Sequence, residues 1–158
     1  MKNSKKNFFN EIVKNKKIYY DYFVENTFEA GLVLKGWEVK SIRNKSVNIT
    51  NCRIFFKNLE MYLLGLNINP NYNSDINKNV SLIRNIKVLL KKKEITYLHG
   101  KYQVSGYSLV ILSLYWKNAW CKIKLAIVKG KKKQDKRLNS KKEEWILQKN
   151  KIMKRLLK

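Results

Sequence analysis

The sequence predicts a mainly β protein: a small antiparallel barrel or sandwich with one or two short helices and a basic C-terminal tail. Three observations point there. YSLVILSLYW and AWCKIKLAIV flank the tight turn Lys117-Asn118, and in the second arm Cys121, Ile123, Leu125 and Ile127 alternate with Trp120, Lys122, Lys124 and Ala126. That is the period of a half-buried strand with a basic outer face. VNITNCRIFFK and EMYLLGLNI flank Asn58-Leu59 and read as a second antiparallel hairpin. Helical spacing is confined to short segments until the last thirty residues. Hairpin-joined strands with few helices close around one core, and 158 residues suffice to bury it.

Taken in order, residues 1–14 form a basic, flexible N-terminus, with disorder expected at the first few positions. From Ile18 the stretch IYYDYFVEN is aromatic and β-prone, and FEAGLVL carries the extended pattern up to Gly36. GWEVKSIRNKS spaces Trp37, Val39 and Ile42 as a short helix opening after Gly36. Residues 67–85, with Asn, Ser, Asp and the single Pro, read as a long surface loop, and IKVLL as a further strand. KKKEITYLHGKY places Ile95, Leu98 and Tyr102 at helical spacing, with Gly100 as the helix end. After Gly130 the strand pattern stops. Ser140-Lys141-Lys142-Glu143 fits a capping box. Trp145, Ile146, Ile152, Met153, Leu156 and Leu157 then share one side of a helix of about four turns, opposite Glu144, Lys151, Lys154 and Arg155 and interrupted by Lys149. A lone helix of that length is marginal in water, so the tail is expected to stay unstructured until a partner supplies a surface. The organisation is a body at 15–130 and a tail at 131–158.

The formal net charge of +24 calls for a polyanionic partner. Only five of the 35 basic residues are arginine, and asparagine is abundant, a bias that inflates lysine at neutral surface sites as well. Bias does not explain clustering: residues 129–158 hold thirteen Lys or Arg against three acids. Cys52 and Cys121 are far apart and lack metal-binding spacing, as expected of reduced thiols. The basic N-terminus lacks the unbroken apolar core of a signal peptide, and no stretch approaches the ~18–20 apolar residues of a membrane span. A cytoplasmic, soluble monomer is expected, with no cofactor and no metal.

Catalysis finds little support. The single histidine, His99, stands at the expected helix end beside Gly100, where an imidazole interacts with free carbonyls. The eleven acids are scattered, and neither a P-loop nor G-x-G-x-x-G occurs. What remains is charge interleaved with aromatics: Tyr19, Tyr20, Tyr22 and Phe23 behind Lys16-Lys17, and Trp116, Trp120 and Lys122 on the last hairpin. Strand aromatics are ordinarily core, yet an exposed ring on a basic sheet stacks a base for about 1–3 kcal/mol. Shape-led recognition of folded RNA needs such a surface.

Three stretches carry a resemblance: NKKIYYDYFVENTFEAGLVLKGWEVKSIR, LYWKNAWCKIKLAIVKGKKKQDKR and KEEWILQKNKIMKR. Together they are similar to the SsrA-binding protein family, also called small protein B, from about Asn15 to the chain end. The resemblance implies an OB-like antiparallel barrel that binds the tRNA-like domain of transfer-messenger RNA and brings it to stalled ribosomes for trans-translation, without a catalytic step. It implies an RNA-binding side carrying Asn15, Lys16, Tyr22, Glu29, Arg43, Leu89 and Lys122. It also implies a ribosome-binding tail: Gly130, Lys131, Lys132 and Lys133, then Asp135, Lys136 and Arg137 at the decoding centre, then Trp145, Ile152 and Met153 in the message channel. Family members often carry a histidine before that aspartate; Gln134 stands here and offers no ring to stack. Glu29 is the odd member, because a carboxylate on a phosphate-binding face is unfavourable unless it orients a basic neighbour or accepts from a ribose or base donor. Rival readings are a general OB-type RNA-binding or ribosome-associated protein, a membrane-surface protein using the amphipathic tail, and a hydrolase.

Overall fold

The computed structural model describes residues 9–70 and 84–156. In chain order these form β1 (Phe9–Lys14), α1 (Lys17–Asp21), β2 (Tyr22–Leu32), α2 (Gly36–Arg43), β3 (Val47–Asn48), β4 (Arg53–Lys57) and β5 (Glu60–Leu64). They continue with β6 (Asn67–Ile68), β7 (Ile86–Leu89), α3 (Lys92–Gln103), β8 (Tyr107–Lys117), β9 (Trp120–Gly130) and α4 (Lys133–Leu156). Seven strands make one antiparallel sheet in the order β1-β8-β9-β2-β7-β5-β4, and β3 with β6 make a separate small pair. Register shifts in β1, β2 and β8 bend the long strands, as an extra residue in a ladder does. The sheet curls until β4 and β8 approach within 8 Å between Cα atoms, but no ladder joins them. The barrel is therefore open, and only the mainly-β antiparallel part of the OB-like expectation is met.

Alternation decides which residues fill the curl. Ala30, Ile111, Leu114, Ile123, Leu125 and Ile127 point inward from the long strands, joined by Ile54, Met61, Leu63, Ile86 and Val88 from the short ones. Two helices close the core. Ile42 of α2 and Leu98 of α3 are fully buried in it. Both helices begin with a glutamate reaching back to the preceding amide: Lys35 N–H donates to Glu38 at 2.6 Å and Lys91 N–H to Glu94 at 3.0 Å. Glu38 is itself buried and receives two bonds from Arg84, Nε–H at 2.6 Å and Nη2–H at 2.7 Å, a bidentate pair linking α2 to the approach to β7.

Both predicted hairpins are present. Asn58 and Leu59 form the β4–β5 turn with positive φ at both positions. The β8–β9 turn is Asn118-Ala119, one residue later than Lys117-Asn118, because Lys117 still pairs with Trp120. Gly65 ends β5 at φ +81°, where a Cβ would lie 2.7 Å from the Asn51 carbonyl oxygen.

Several expectations are corrected. Phe9–Lys14 is not a flexible segment but an edge strand on β8. Lys17–Asp21 is a helical turn, not the start of a strand: Ile18 packs on Leu112, Ala126 and Val128 on the outer face of the sheet. That burial, worth about 1.5–3 kcal/mol, holds a helix too short to stand alone. VNITNCRIFFK is broken at residues 49–52, where Thr50 N–H donates to the Asn48 side chain at 2.8 Å and diverts the chain. Gly100 does not end α3, which runs to Gln103; His99 lies inside it with its ring edge-on to Phe56 at 5.0 Å. The expected 67–85 loop contains β6 at its start, and residues 71–83 lie outside the described residues, as do residues 1–8 and Leu157.

The tail departs most. It is a helix of 24 residues, and Ser140-x-x-Glu143 lies within it rather than at its start. Asp135 accepts from the Lys132 amide at 3.0 Å and begins the helix there. The segment contains no Gly or Pro and is dominated by Lys, Arg, Leu, Gln and Glu, strong helix formers, over about twice the marginal length.

Candidate nucleic-acid interface

Pleating places one row of residues across the outer face of the sheet. Leu89 of β7 pairs with Gly31 of β2, Gly31 with Lys122 of β9, Lys122 with Tyr115 of β8, and Tyr115 with Glu11 of β1. The next row carries Glu29 opposite Lys124 and Lys124 opposite Ser113. Gly31 contributes no side chain, so Leu89, half exposed at 50%, rests against it with its Cβ at 3.5 Å from the position a Cβ would take.

Glu29 gathers donors from the neighbouring strands. Tyr115 O–H donates at 2.8 Å, Lys117 Nζ at 3.0 Å, and Lys122 Nζ forms the shortest contact. These bonds, with Lys122 first, hold the Glu29 carboxyl down to about 2, well below its ordinary 4.5. Burial and the bond to Glu29 push the Tyr115 phenol upward, so it remains a donor. The geometry is that of a carboxylate orienting basic neighbours: two lysine side chains are held over a sheet face instead of sweeping freely through solvent.

A second group lies at the α1 end of the same face, about 20 Å along β2 from Glu29 at ~3.3 Å per residue. Asn15 ends β1, its amide donating to Leu112 O at 2.8 Å, and exposed Lys16 opens α1. Tyr22 packs beside Ile18 and pairs across the ladder with Gly130. Tyr19, Tyr20 and Phe23 are nearly half exposed, and a cation stands over each ring: Lys14 Nζ at 5.9 Å from Tyr19, Lys136 Nζ at 5.7 Å from Tyr20 and Lys131 Nζ at 5.0 Å from Phe23.

The tail is anchored to this group at its start. Lys131 N–H donates to Asp21 O at 3.0 Å, Lys131 Nζ to Tyr19 O at 2.7 Å, and Lys136 Nζ to the Asp21 carboxylate at 2.7 Å. Beyond it, Leu138, Trp145, Ile146, Ile152 and Met153 remain more than half exposed, and Lys149 lies 5.4 Å from the Trp145 ring. Asp135, Lys136 and Arg137 thus stand in three situations: a cap, a tether and an exposed cation.

The family described as SmpB protein matches residues 12–155. SsrA-binding proteins of three Buchnera aphidicola strains (Tuc7, 5A and APS, from Acyrthosiphon pisum) are each 47% identical over 145 residues, covering 92% of this chain and 90% of theirs. The chain belongs to the SmpB family. A solved structure of the family, tmRNA-SmpB on "a journey to the center of the bacterial ribosome", contains a chain 36% identical to this one. That likeness covers 79% of this chain and 91% of that one, with a TM-score of 0.63.

Within the SmpB frame, the residues implied by resemblance fall into distinct places. Glu29, Leu89 and Lys122 meet on one patch; Asn15, Lys16 and Tyr22 gather at α1. Arg43 joins neither: on the last turn of α2, its guanidinium lies 5.6 Å from Trp116, whose ring packs with the core behind β8. Trp120, by contrast, projects from the hairpin tip, 73% exposed. Sequence reasoning missed Tyr115, Lys117 and Asp21. The signal for Tyr115 was cross-strand pairing with Lys122, which becomes readable only once the β8–β9 turn is placed correctly. Among the described residues no cluster of His, Cys, Asp and Glu could hold a metal ion, and no helix is long and apolar enough to cross a membrane.

Proposed function

We propose that this SmpB-family chain binds the tRNA-like domain of transfer-messenger RNA through the outer face of β2, β8 and β9 together with α1, and carries it to stalled ribosomes for trans-translation. The observation that carries the reading is the Glu29 cluster, which presets Lys122 and Lys117 beside the apolar Leu89. Preset cations lose little freedom on meeting phosphate or ribose, so they favour one shape of polyanion over an arbitrary one. The role is binding, with no catalytic step, and it locates the protein with ribosomes in the cytoplasm. The relatives named SsrA-binding protein support it.

A division of labour follows. The body, residues 15–130, grips RNA. The tail, residues 131–158, enters the decoding centre and the message channel, which is walled by phosphate and vacant only when message is missing. Gly130, Lys131, Lys132 and Lys133 set its departure, Arg137 is open to the decoding RNA, and Trp145, Ile152 and Met153 offer an uncovered apolar stripe.

Competition binding tests the reading. The full chain should prefer the tRNA-like domain over an equally long arbitrary duplex and over poly-pyrimidine. Six to ten phosphate contacts would lose roughly 10³–10⁵ in affinity between about 50 and 200 mM salt. Equal affinity for all three RNAs would favour a general RNA-binding protein instead.

A further inference from the structure

We propose that the open seam between β4 and β8 receives one unpaired nucleotide of the bound RNA, its phosphate on Lys17 and Arg53 and its base against Tyr102. This rests on the RNA-binding reading and extends it to residues that reading does not use.

The seam exists because two strand edges are left without ladders. β1 leaves β8 at Asn15, whose amide donates to Leu112 O, so residues 107–112 have no outer partner strand among the described residues. Among the described residues β4 pairs only with β5. Between them is a groove of about 530 Å³, lined by residues from α1, from the turn before β4, from the end of α3 and from β8. That volume lies within the roughly 300–1,000 Å³ of small-ligand sites. Its floor is apolar, with Ile49, Ile54, Leu109 and Ile111 all buried.

The rim selects the occupant. Lys17 and Arg53 are exposed, and neither makes an ion pair among the described residues. Asp21, the acid lining the groove, is engaged by Lys136. Tyr102 is 45% exposed beside an apolar floor, and Asn51 and Ser108 add short polar side chains to the lining. A flat apolar ring with donors and acceptors on its edge and an anion at one side matches these features together. Asn15 and Tyr22 also line the groove, so it continues the α1 end of the proposed interface. Sequence-specific RNA recognition works by such splayed bases stacked on aromatic side chains.

Cross-linking tests the site directly. Burial pushes the Cys52 and Cys121 thiols up to about 12, so the protein's own cysteines react slowly and an introduced one is labelled selectively. The full-length Thr50→Cys protein, carrying a thiol-directed photoprobe and bound to the tRNA-like domain, should cross-link to one or two adjacent unpaired nucleotides. A probe at Leu59→Cys, on the far turn of β4, should not. If the Thr50 probe instead abolishes RNA binding while the Leu59 probe is harmless, the seam is likewise occupied by RNA. Arg53→Gln should weaken binding about tenfold and reduce the slope of log affinity against log salt by about 0.7. Scattered or absent cross-links from Thr50, with affinity and salt slope unchanged in Arg53→Gln, overturn the seam while leaving the RNA reading intact. A cross-link to a ribosomal protein in place of RNA also overturns it. Failure of the wild-type chain to prefer the tRNA-like domain sinks the RNA reading itself.

Discussion

Glu29 is where chemistry and residue meet most closely. Its carboxyl is held near 2 against an ordinary 4.5, so the cluster with Lys122, Tyr115 and Lys117 contributes stability that is present above about pH 4.5 and lost as pH falls toward 2. A third of the side chain is exposed, and screening limits the contribution to about 1 kcal/mol. Melting temperatures of wild type and Glu29→Gln should therefore differ at neutral pH and converge on acidification; a constant gap would contradict the cluster's account. Leu59 gives a second single-residue prediction. It sits at φ 59°, 81% exposed, where a residue with a Cβ is strained by about 1–2 kcal/mol. Leu59→Gly should raise the melting temperature by ~2–4 °C, measured by calorimetry, whereas Asn58, which tolerates this conformation, gains less from the same change. Only the family resemblance singled out Glu29, which the residues alone would leave an ordinary surface glutamate, and its role stayed open because its three partners come from two other strands.

Elements divide by how local their causes are. Both hairpins were legible because period-two alternation and a short turn are written in consecutive residues; the one-residue error at Asn118 reflects how little the turn residues themselves differ. The α2 and α3 helices were legible from spacing, although Gly100 was over-read as a stop when Leu98 on one side and Tyr102 on the other hold the helix through it. α1 was not legible, because its reason is Ile18 docking on Leu112, Ala126 and Val128, residues about a hundred positions away. The Glu38–Arg84 link is of the same long-range kind. Arg84→Met would leave the buried Glu38 carboxylate without its partner and should cost about 3 kcal/mol in chemical denaturation. The double variant with Glu38→Gln should recover part of that loss; a purely additive loss would mean the two groups act independently.

At the scale of the molecule, an open barrel presents a cationic face, and a helix of 24 residues leaves that face from a single anchored turn. At ~1.5 Å per residue the helix is about 36 Å long, and past its anchored turn Trp145, Ile146, Leu147, Ile152 and Met153 are all more than half exposed. Composition announced the polyanion, and resemblance named the RNA; the tail's helix was read from its apolar spacing, but its start was placed at Ser140 instead of Lys133, and the shorter helix was expected to need a partner. The central claim is that grip and probe are separable. The most direct measurement compares the full chain with a version ending at Gly130, in binding to the tRNA-like domain and in tagging on stalled ribosomes. The account predicts affinity retained within about threefold, since the Glu29 patch and the α1 residues remain, together with loss of tagging. A truncated chain that tags as well as the full one, or that no longer binds the RNA, would contradict it.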